Sequence, residues 1–571
     1  MLTEMKLDCI NEARLNKAIE LQQTDQADQA ITQYQMILSD YPQHAMVMHL
    51  QAITLAQVGQ IDDAIELFRQ VVDLHPNHPI YLSSLANALR RKGELDHAID
   101  YFQQALSHCP TLVSAHNNLA LIYFKSDPQL AQHHFQQALQ TKPDHLDANY
   151  NLGLLLLSTN KHKAKHHFTT AIQVKQDFVP ALFQLAQLFH SEKAFLKARN
   201  TYERILLLKP NDPDCLYKMG LICLEQDQFD EGLDFLQQAY ASGTQLDDIE
   251  HNLACLYLHQ KNYQKALEFW LKHIKSPNAD LESYYNVGVC YLYLGRYDDA
   301  TDYLFHVIKK QLDHYHALIN LGATFLQKNH PQSACEYYER AQAIKPSSAI
   351  SYVLDALQQK QSPATAPTDY VVDLFDSYAF RYDEHLCDVL DYQLPKRLAH
   401  IIPAHLNFPE RSCMTLDLGC GTGLCGQLLH GFSRSLIGID LSPNMLDIAR
   451  KKSFYDDLIC ADICVLQEAF KHQIDFILTA DTLPYIGDLD PVFKVVQQYL
   501  KPGGYWIFSI EENFSDDYVL TQSARFSHHP DYIDRLSRDH RLSLFHQERT
   551  ALRTQQNAYV DGLIYILKAP S

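Results

Sequence analysis

Thr415-Leu-Asp-Leu-Gly-Cys-Gly-Thr-Gly-Leu-Cys-Gly426, followed by Leu436-Ile-Gly-Ile-Asp440, decides the fold of the last third of this chain. An apolar run ends at a glycine loop, a helix signal follows, and a second apolar run ends in a carboxylate. That is the pattern of a nucleotide-type binding corner at the end of a strand. The glycines let the backbone approach a ligand, and the free N–H groups of the helix start can meet an anionic part of it.

Working outward, strand and helix signals alternate. Strands are expected at 413–418, 435–440, 457–461, 474–480 and 504–510, and helices at 424–431, 443–452, 465–471 and 490–499. An amphipathic helical stretch, Asp369 to Glu384, precedes them. Such alternation implies a parallel sheet with helices on both faces and a ligand at the C-terminal ends of the strands. Two cofactor classes compete for that place. Gly421-Thr-Gly423-Leu-Cys-Gly426 fits G-x-G-x-x-G, and Asp440 lies at a suitable distance for a dinucleotide ribose. Against this, Asp417 sits inside the first strand, where a carboxylate is expensive to bury unless donors in the loop or ligand meet it.

Asp417, Gly419, Gly421 and Gly423 form Asp-x-Gly-x-Gly-x-Gly, which resembles the first motif of class I S-adenosylmethionine methyltransferases. Asp440 at the end of strand two, Asp462 in Cys460-Ala-Asp-Ile463 and Lys501-Pro-Gly-Gly504 before strand five agree with it. The resemblance implies a Rossmann-like α/β domain with a seven-stranded, mostly parallel sheet and S-adenosyl-L-methionine as cofactor. It places Tyr382, Asp417, Gly419, Cys420, Gly421, Thr422, Gly423, Asp440, Leu441, Met445, Asp462 and Ile463 around that cofactor. Asp440 would bond the ribose hydroxyls, and Asp462 the adenine amino group. Tyr382 would line the pocket from a covering helix; a plain core tyrosine is the alternative.

The first two thirds read differently. Small residues recur at Ala18, Ala52, Ala86, Ala120, Gly153, Ala186, Gly220, Ala254, Gly288 and Gly322, and again at Ala30, Ala64, Ala98, Ala131, Ala164, Ala198, Gly232, Ala266, Ala300 and Ala334. Four residues after each member of the second series stands a large apolar side chain, among them Tyr34, Phe68, Phe102 and Trp270. Prolines such as Pro42, Pro76, Pro110 and Pro346 close many units. Each unit is therefore two helices in close contact, ended by proline. The pattern resembles the tetratricopeptide repeat, about ten copies over residues 11–346, and 347–361 reads as a helix covering the last apolar face.

Such solenoids present a groove lined by the first helix of each unit. Asn118, Asn151, Asn252, Asn286 and Asn320 each fall two residues before its small residue. A ladder of amides could pair with an extended peptide, an arrangement similar to the asparagine ladder of the O-GlcNAc transferase repeats. The alternative is that asparagine suits a half-exposed consensus position. His162 and His166 have metal-ligand spacing, but Lys161, Lys163 and Lys165 would repel a cation, so no metal is expected.

Leu374-Phe-Asp-Ser-Tyr-Ala-Phe-Arg-Tyr-Asp-Glu-His-Leu386, Tyr455-Asp-Asp-Leu458, Asp481-Thr-Leu-Pro-Tyr-Ile-Gly-Asp-Leu489 and Ala524-Arg-Phe-Ser-His528 together resemble a bacterial family of predicted methyltransferases that carry tetratricopeptide repeats. This chain departs from it at Pro484 and His529, and it lacks the usual glycine near Arg538-Asp-His540. Methyl transfer needs an in-line lone pair and, for a hydroxyl or ammonium, a base. Asp481, Tyr485 and His528 are the catalytic candidates; Asp481 could instead cap a helix. Arg525 and His528, close in sequence, read as a pair, with a surface loop as the alternative for both. Arg525 and Arg553 are candidates to hold an acceptor, and a surface salt bridge is the alternative for Arg553.

The expected organisation is an all-α repeat solenoid over 1–361, a stiff linker at 362–369 (Ser362-Pro-Ala-Thr-Ala-Pro-Thr368), and the methyltransferase domain over 370–571. Net charge is −20, divided equally between residues 1–368 and 369–571, so nucleic acid is an unlikely partner class and a protein or peptide in the groove is expected. Thirteen cysteines without a CxxC pair argue for a reducing compartment. With no apolar run fit to span a bilayer and no signal-peptide pattern at Met1, the expected location is the cytoplasm, away from membrane. Oligomeric state and the identity of the methyl acceptor are left open. A small-molecule methyltransferase whose repeats serve assembly, or a scaffold with a degenerate catalytic domain, are the alternatives.

Overall fold

In a computed structural model, the structure describes residues 6–571 except 25, 245, 247, 361, 380–381, 385, 387–391, 466–467 and 556–557. The chain forms two compact units, residues 1–256 and 257–571. The first is made of antiparallel helix pairs, beginning with Cys9–Gln23 and Ala27–Asp40 and continuing to Pro213–Glu225 and Phe229–Ala241. Ala18, Ala52, Ala86 and Ala120 are fully buried, and so are Tyr34, Phe102, Phe135 and Phe168. The reason for the small residues is steric: a Cβ added to Gly153 would lie 2.6 Å from the Phe168 ring, and one on Gly220 would lie 2.6 Å from Leu236. Second helices end at Asp40, Leu74, His108 and Thr141, each two residues before a proline.

The second unit begins within the repeats, with Tyr263–His273, Leu281–Tyr293, Tyr297–Lys310, Tyr315–Gln327 and Pro331–Ile344. The added helix, Ser348–Gln358, has two apolar faces. Ile350 and Leu354 pack with Leu321 and Tyr338 of the last repeat. Tyr352 and Ala356 pack with Val371, Leu520 and Phe526 of the α/β part, and the Tyr352 hydroxyl donates to Ala524 O at 3.0 Å. The stretch expected to be a linker is likewise built in. Gly487 and Asp488 N–H donate to Ala364 O at 2.9 and 2.7 Å, Ala366 N–H donates to Tyr485 O at 3.0 Å, and Leu520 N–H donates to Ser362 Oγ at 2.8 Å.

The α/β part holds seven strands in one sheet: β1 (Cys413–Leu418), β2 (Ser433–Asp440), β3 (Asp457–Cys460), β4 (Ile474–Thr479), β5 (Leu500–Glu511), β8 (Ser543–Gln555) and β9 (Ala558–Lys568). Their order is β3-β2-β1-β4-β5-β9-β8; β1 to β5 run parallel, and β9 is antiparallel to both neighbours. Side chains alternate between the two faces as strand geometry requires. Trp506, Phe508, Tyr565 and Leu567 enter one core, while Ile507, Ile564 and Ile566 enter the other. A separate hairpin, β6 (Tyr518–Leu520) and β7 (Phe526–His528), follows β5. Of the helix expected at 465–471, the described part is only a 3₁₀ turn, Glu468–Phe470, and Val465 is exposed. The expected stretch Asp369–Glu384 is two pieces, Thr368–Tyr378 and Tyr382–Glu384; Phe380, Arg381 and His385 of the family-like motif lie outside the described residues. Among the described residues no helix is long and apolar enough to cross a membrane.

Candidate functional site

The strand order reverses beside β1, so the loops after β1 and β4 part and leave a crevice at their C-terminal ends. Two adjoining lobes occupy it. One is lined by Asp440, Leu441, Asp462, Ile463, Asp481 and Tyr485, among others. The other is lined by Tyr382, Tyr392, Asp417, Cys420, Thr422 and Cys425. Gly419 and Gly421 line both.

Gly419, Gly421 and Gly423 have φ of +75°, +53° and +79°, the left-handed conformation that favours glycine. At Gly419 a Cβ would collide with Thr482, whose hydroxyl donates to Leu418 O at 3.2 Å. At Gly421 a Cβ would meet only Tyr382 Cε1, at 4.0 Å, so this residue faces the open crevice. Asp440 Oδ2 accepts from Gly421 N–H at 2.8 Å and Oδ1 from Ser442 N–H at 2.9 Å. Each oxygen keeps a lone pair, an arrangement suited to a vicinal diol. Burial raises the Asp440 pKa, and the backbone donors oppose that rise. Asp462 Oδ1 accepts from Cys464 N–H at 2.8 Å. Asp417 is 2% exposed, and burial pushes its pKa up to about 7 against the pull of the Tyr455 hydroxyl, which donates to Oδ2 at 2.8 Å.

Among the described residues lining the two lobes, four are aspartates and none is lysine or arginine. Such a lining disfavours the pyrophosphate of a dinucleotide and suits a ligand with cationic groups, a diol and an amino group. The acidic acceptors and the space above Gly421 therefore fit S-adenosylmethionine.

From Asp481 at the crevice wall a cluster of four charges runs into the interior. Arg525 bonds Asp481 at 2.5 Å and Glu511 at 2.6 Å, and Arg553 bonds Glu511 at 2.9 Å and approaches Asp481 at 3.6 Å. Burial alone would lower the Arg525 pKa; Asp481 and Glu511 outweigh it and raise it. Arg525 also donates to the Tyr485 hydroxyl at 2.8 Å. Neither arginine is on the surface. Both were expected to meet an acceptor or solvent, but the folded chain commits them to its own carboxylates.

His528 is fully buried and absent from the residues lining either lobe. Its Nε2–H donates to Ile486 O and Gly487 O at 2.9 and 3.2 Å, and burial lowers its pKa to about 4. Its position argues against a base acting on an acceptor in the crevice. Arg525 and His528 are three residues apart around a short strand, and odd spacing sends side chains to opposite faces.

Residues 416–508 match the family model described as a methyltransferase domain, and residues 49–112, 117–164 and 288–349 match the tetratricopeptide repeat. The chain carries tetratricopeptide repeats and a class I methyltransferase domain. Malonyl-[acyl-carrier protein] O-methyltransferase of Priestia megaterium is 33% identical over 141 residues, covering 24% of this chain and 48% of that protein. Ubiquinone biosynthesis O-methyltransferase of Coxiella burnetii is 30% identical over 129 residues, covering 21% and 55%. The chain thus spans about half the length of these curated relatives. A solved S-adenosylmethionine-dependent methyltransferase from Methanosarcina mazei has 17% identity and a TM-score of 0.26, over 30% of this chain and 97% of its own; so low a score adds nothing to the sheet order.

Within the methyltransferase domain, most of the expected cofactor residues gather on the crevice. Gly423 and Met445 do not line it: Gly423 faces the Tyr455 ring below the loop, and Met445 is wholly buried in the helix Pro443–Lys452. The sequence reading assigned no role to Tyr455 or Thr482, although both stand in family-like stretches, and it did not point to Glu511 or to the wall formed by Thr365, Ala366, Thr368, Val371 and Phe375. It missed Asp383 as well, which accepts from Thr422 and pairs with Lys452, tying Tyr382 to the glycine loop.

The repeat asparagines are half-buried on their first helices. In the first unit Asn252 Nδ2 donates to the Tyr217 hydroxyl at 3.2 Å, and in the second Asn320 Nδ2 donates to the Tyr285 hydroxyl at 3.0 Å. In both, the tyrosine belongs to the first helix of the preceding repeat, so these two asparagines also join neighbouring repeats.

Proposed function

We propose that this protein transfers a methyl group from S-adenosyl-L-methionine to an acceptor carried on a protein or peptide, which the repeats recruit. The observation that supports the reaction best is the crevice itself: Asp417 on β1, Asp440 at the end of β2 and Asp462 two residues past β3 surround a glycine loop that is open only at Gly421. Asp440 would hold the ribose hydroxyls, Asp462 the adenine amino group, and Asp417 the cationic methionine end. The bound cofactor supplies an electrophilic methyl on a sulfonium. The protein's part is to align the acceptor and exclude water. Tyr485 and Asp481 stand at that end. Because Tyr485 Oη accepts from Arg525 and burial raises its pKa, its hydroxyl is a proton donor that orients an acceptor rather than a base. Asp481 holds Arg525 in place for it.

Recruitment by the repeats is supported by the built-in linker. In the second unit, residues 362–366 run from the terminal helix of the repeats into the wall of the crevice and bond the loop that carries Tyr485. The half-buried asparagines offer their amide oxygens to an extended backbone. A small-molecule acceptor, with repeats serving assembly, is the second reading, and the name of the ubiquinone-biosynthesis relative favours it.

The test is transfer of tritiated methyl from S-adenosylmethionine into a fractionated cell lysate by the full-length protein. Label on protein that falls severalfold in the Asn118→Ala/Asn151→Ala/Asn286→Ala variant, with cofactor affinity unchanged, supports this reading. Label confined to metabolites and indifferent to those substitutions contradicts it.

A further inference from the structure

Tyr455 lies outside both lobes, yet the glycine loop is shaped around it. A Cβ on Gly423 would meet its Cε2 at 2.8 Å, one on Gly426 would meet the same atom at 2.9 Å, and one on Gly438 would meet its Cδ1 at 3.0 Å. These glycines belong to the loop, to the start of the helix Gly426–His430 and to the middle of β2. At Gly423 and Gly426 a Cβ would displace the ring, and at Gly438 it would first meet Cys420 Sγ and Leu458 Cδ2, both at 2.8 Å, with the ring close behind. Their absent side chains make a slot, and the tyrosine fills it.

At the end of that slot the hydroxyl reaches Asp417 Oδ2 at 2.8 Å. Among the described residues, the other titratable groups acting around Asp417 are Asp440 from β2 and the Cys420 and Cys425 thiols from the loop, and none of these is cationic. Among the described residues Asp417 thus finds no counter-charge of the kind that arginine gives Asp481, and the bond from Tyr455 opposes its desolvation.

We propose that Tyr455 is a positioning residue of the cofactor lobe: seated in the slot left by Gly423, Gly426 and Gly438, it holds one oxygen of Asp417 and leaves the other as the acceptor for the cationic methionine end of the cofactor. This rests on the cofactor reading above. Tyr455 touches no ligand in it and acts only through Asp417.

The test is calorimetric titration of the full-length protein with S-adenosylmethionine between pH 5.5 and 8.5. Wild-type affinity rises with pH as Asp417 ionises. Tyr455→Phe keeps the ring in its slot and removes only the donor, so its curve shifts upward by about one pH unit and its affinity at pH 7 falls about tenfold. In Asp417→Asn the pH dependence disappears, and adding Tyr455→Phe changes affinity no further. An unshifted curve in Tyr455→Phe, or a loss of affinity equal at every pH, overturns the inference. So does a pH dependence that persists in Asp417→Asn. Absence of binding by the wild type overturns the cofactor reading and this inference with it, whereas tight wild-type binding with an indifferent Tyr455→Phe overturns this inference alone.

Discussion

Asp417 and Asp481 stand at the same end of neighbouring strands, one near the end of β1 and the other two residues past β4; Asp417 is buried, and Asp481 lines the crevice with most of its side chain covered. Their surroundings differ. Asp481 meets two arginines, in a cluster where Glu511 balances the second positive charge. Asp417 meets a tyrosine hydroxyl and two thiols. The same residue type at the ends of neighbouring strands is therefore an internal anchor in one place and, on the proposed reading, the acceptor for a ligand's cation in the other. A carboxylate with its counter-ion supplied by the fold stabilises the fold. One without it costs stability until a ligand provides the missing charge.

Removing a partner from the anchor should have the largest effect. Arg525→Met leaves Asp481 and Glu511 sharing Arg553, and should lose about 3–5 kcal/mol of unfolding free energy in urea at pH 7.5. A loss below about 1 kcal/mol would erase the distinction between the two aspartates.

Asp417 should behave in the opposite sense. Its folded pKa of about 7 lies above the ordinary 3.8, so folded and unfolded states are alike below pH 4. Stability is then lost as pH rises from about 4 to 7, because the unfolded chain ionises first, and the loss is complete above 7. Asp417→Asn removes this penalty and should stabilise the ligand-free protein by about 2–4 kcal/mol at pH 8, with the pH-dependent gain vanishing near pH 4. Thermal melts at the two pH values check it, and an Asp417→Asn protein that is less stable at pH 8 contradicts it.

His528 is the third case, a buried base with a lowered pKa. Its folded pKa of about 4 lies below the ordinary 6.5, so its contribution is intact above 6.5 and is lost as pH falls toward 4. Wild type should lose about 2–3 kcal/mol to this group over that range, and His528→Asn, whose amide can still donate to Ile486 O, should not. Equal acid sensitivity of the two proteins would contradict this account.

How much of this was legible depended on range. The repeat period and the Asp417–Gly423 spacing are local patterns, and both folded as their spacing implies: small residues meet large ones between paired helices, and the glycines take positive φ. The strands β1 to β5 were legible for the same reason. What escaped is made by residues distant in sequence. Tyr455 reaches back 38 residues to Asp417, and Arg525 reaches 44 to Asp481. Ser362-Pro-Ala-Thr-Ala-Pro-Thr368 looks like a spacer because it has no apolar pattern of its own; it is ordered by backbone bonds to the loop after β4. Arg525 and His528 looked like a pair because they are close in sequence, and strand alternation separates them. Pairing of Asn320 with Tyr285 was hidden because a half-exposed amide has the same appearance whether its partner is a ligand or the next repeat.

The central claim is that the crevice above Gly421 binds S-adenosylmethionine through Asp440. Calorimetric titration of full-length wild type, Gly421→Val and Asp440→Ala at pH 8 tests it most directly. Saturable one-to-one binding by wild type is expected, weakened about a hundredfold or more in both variants, while both still unfold cooperatively. Wild-type affinity retained in both variants, or no binding by the wild type, would contradict the claim.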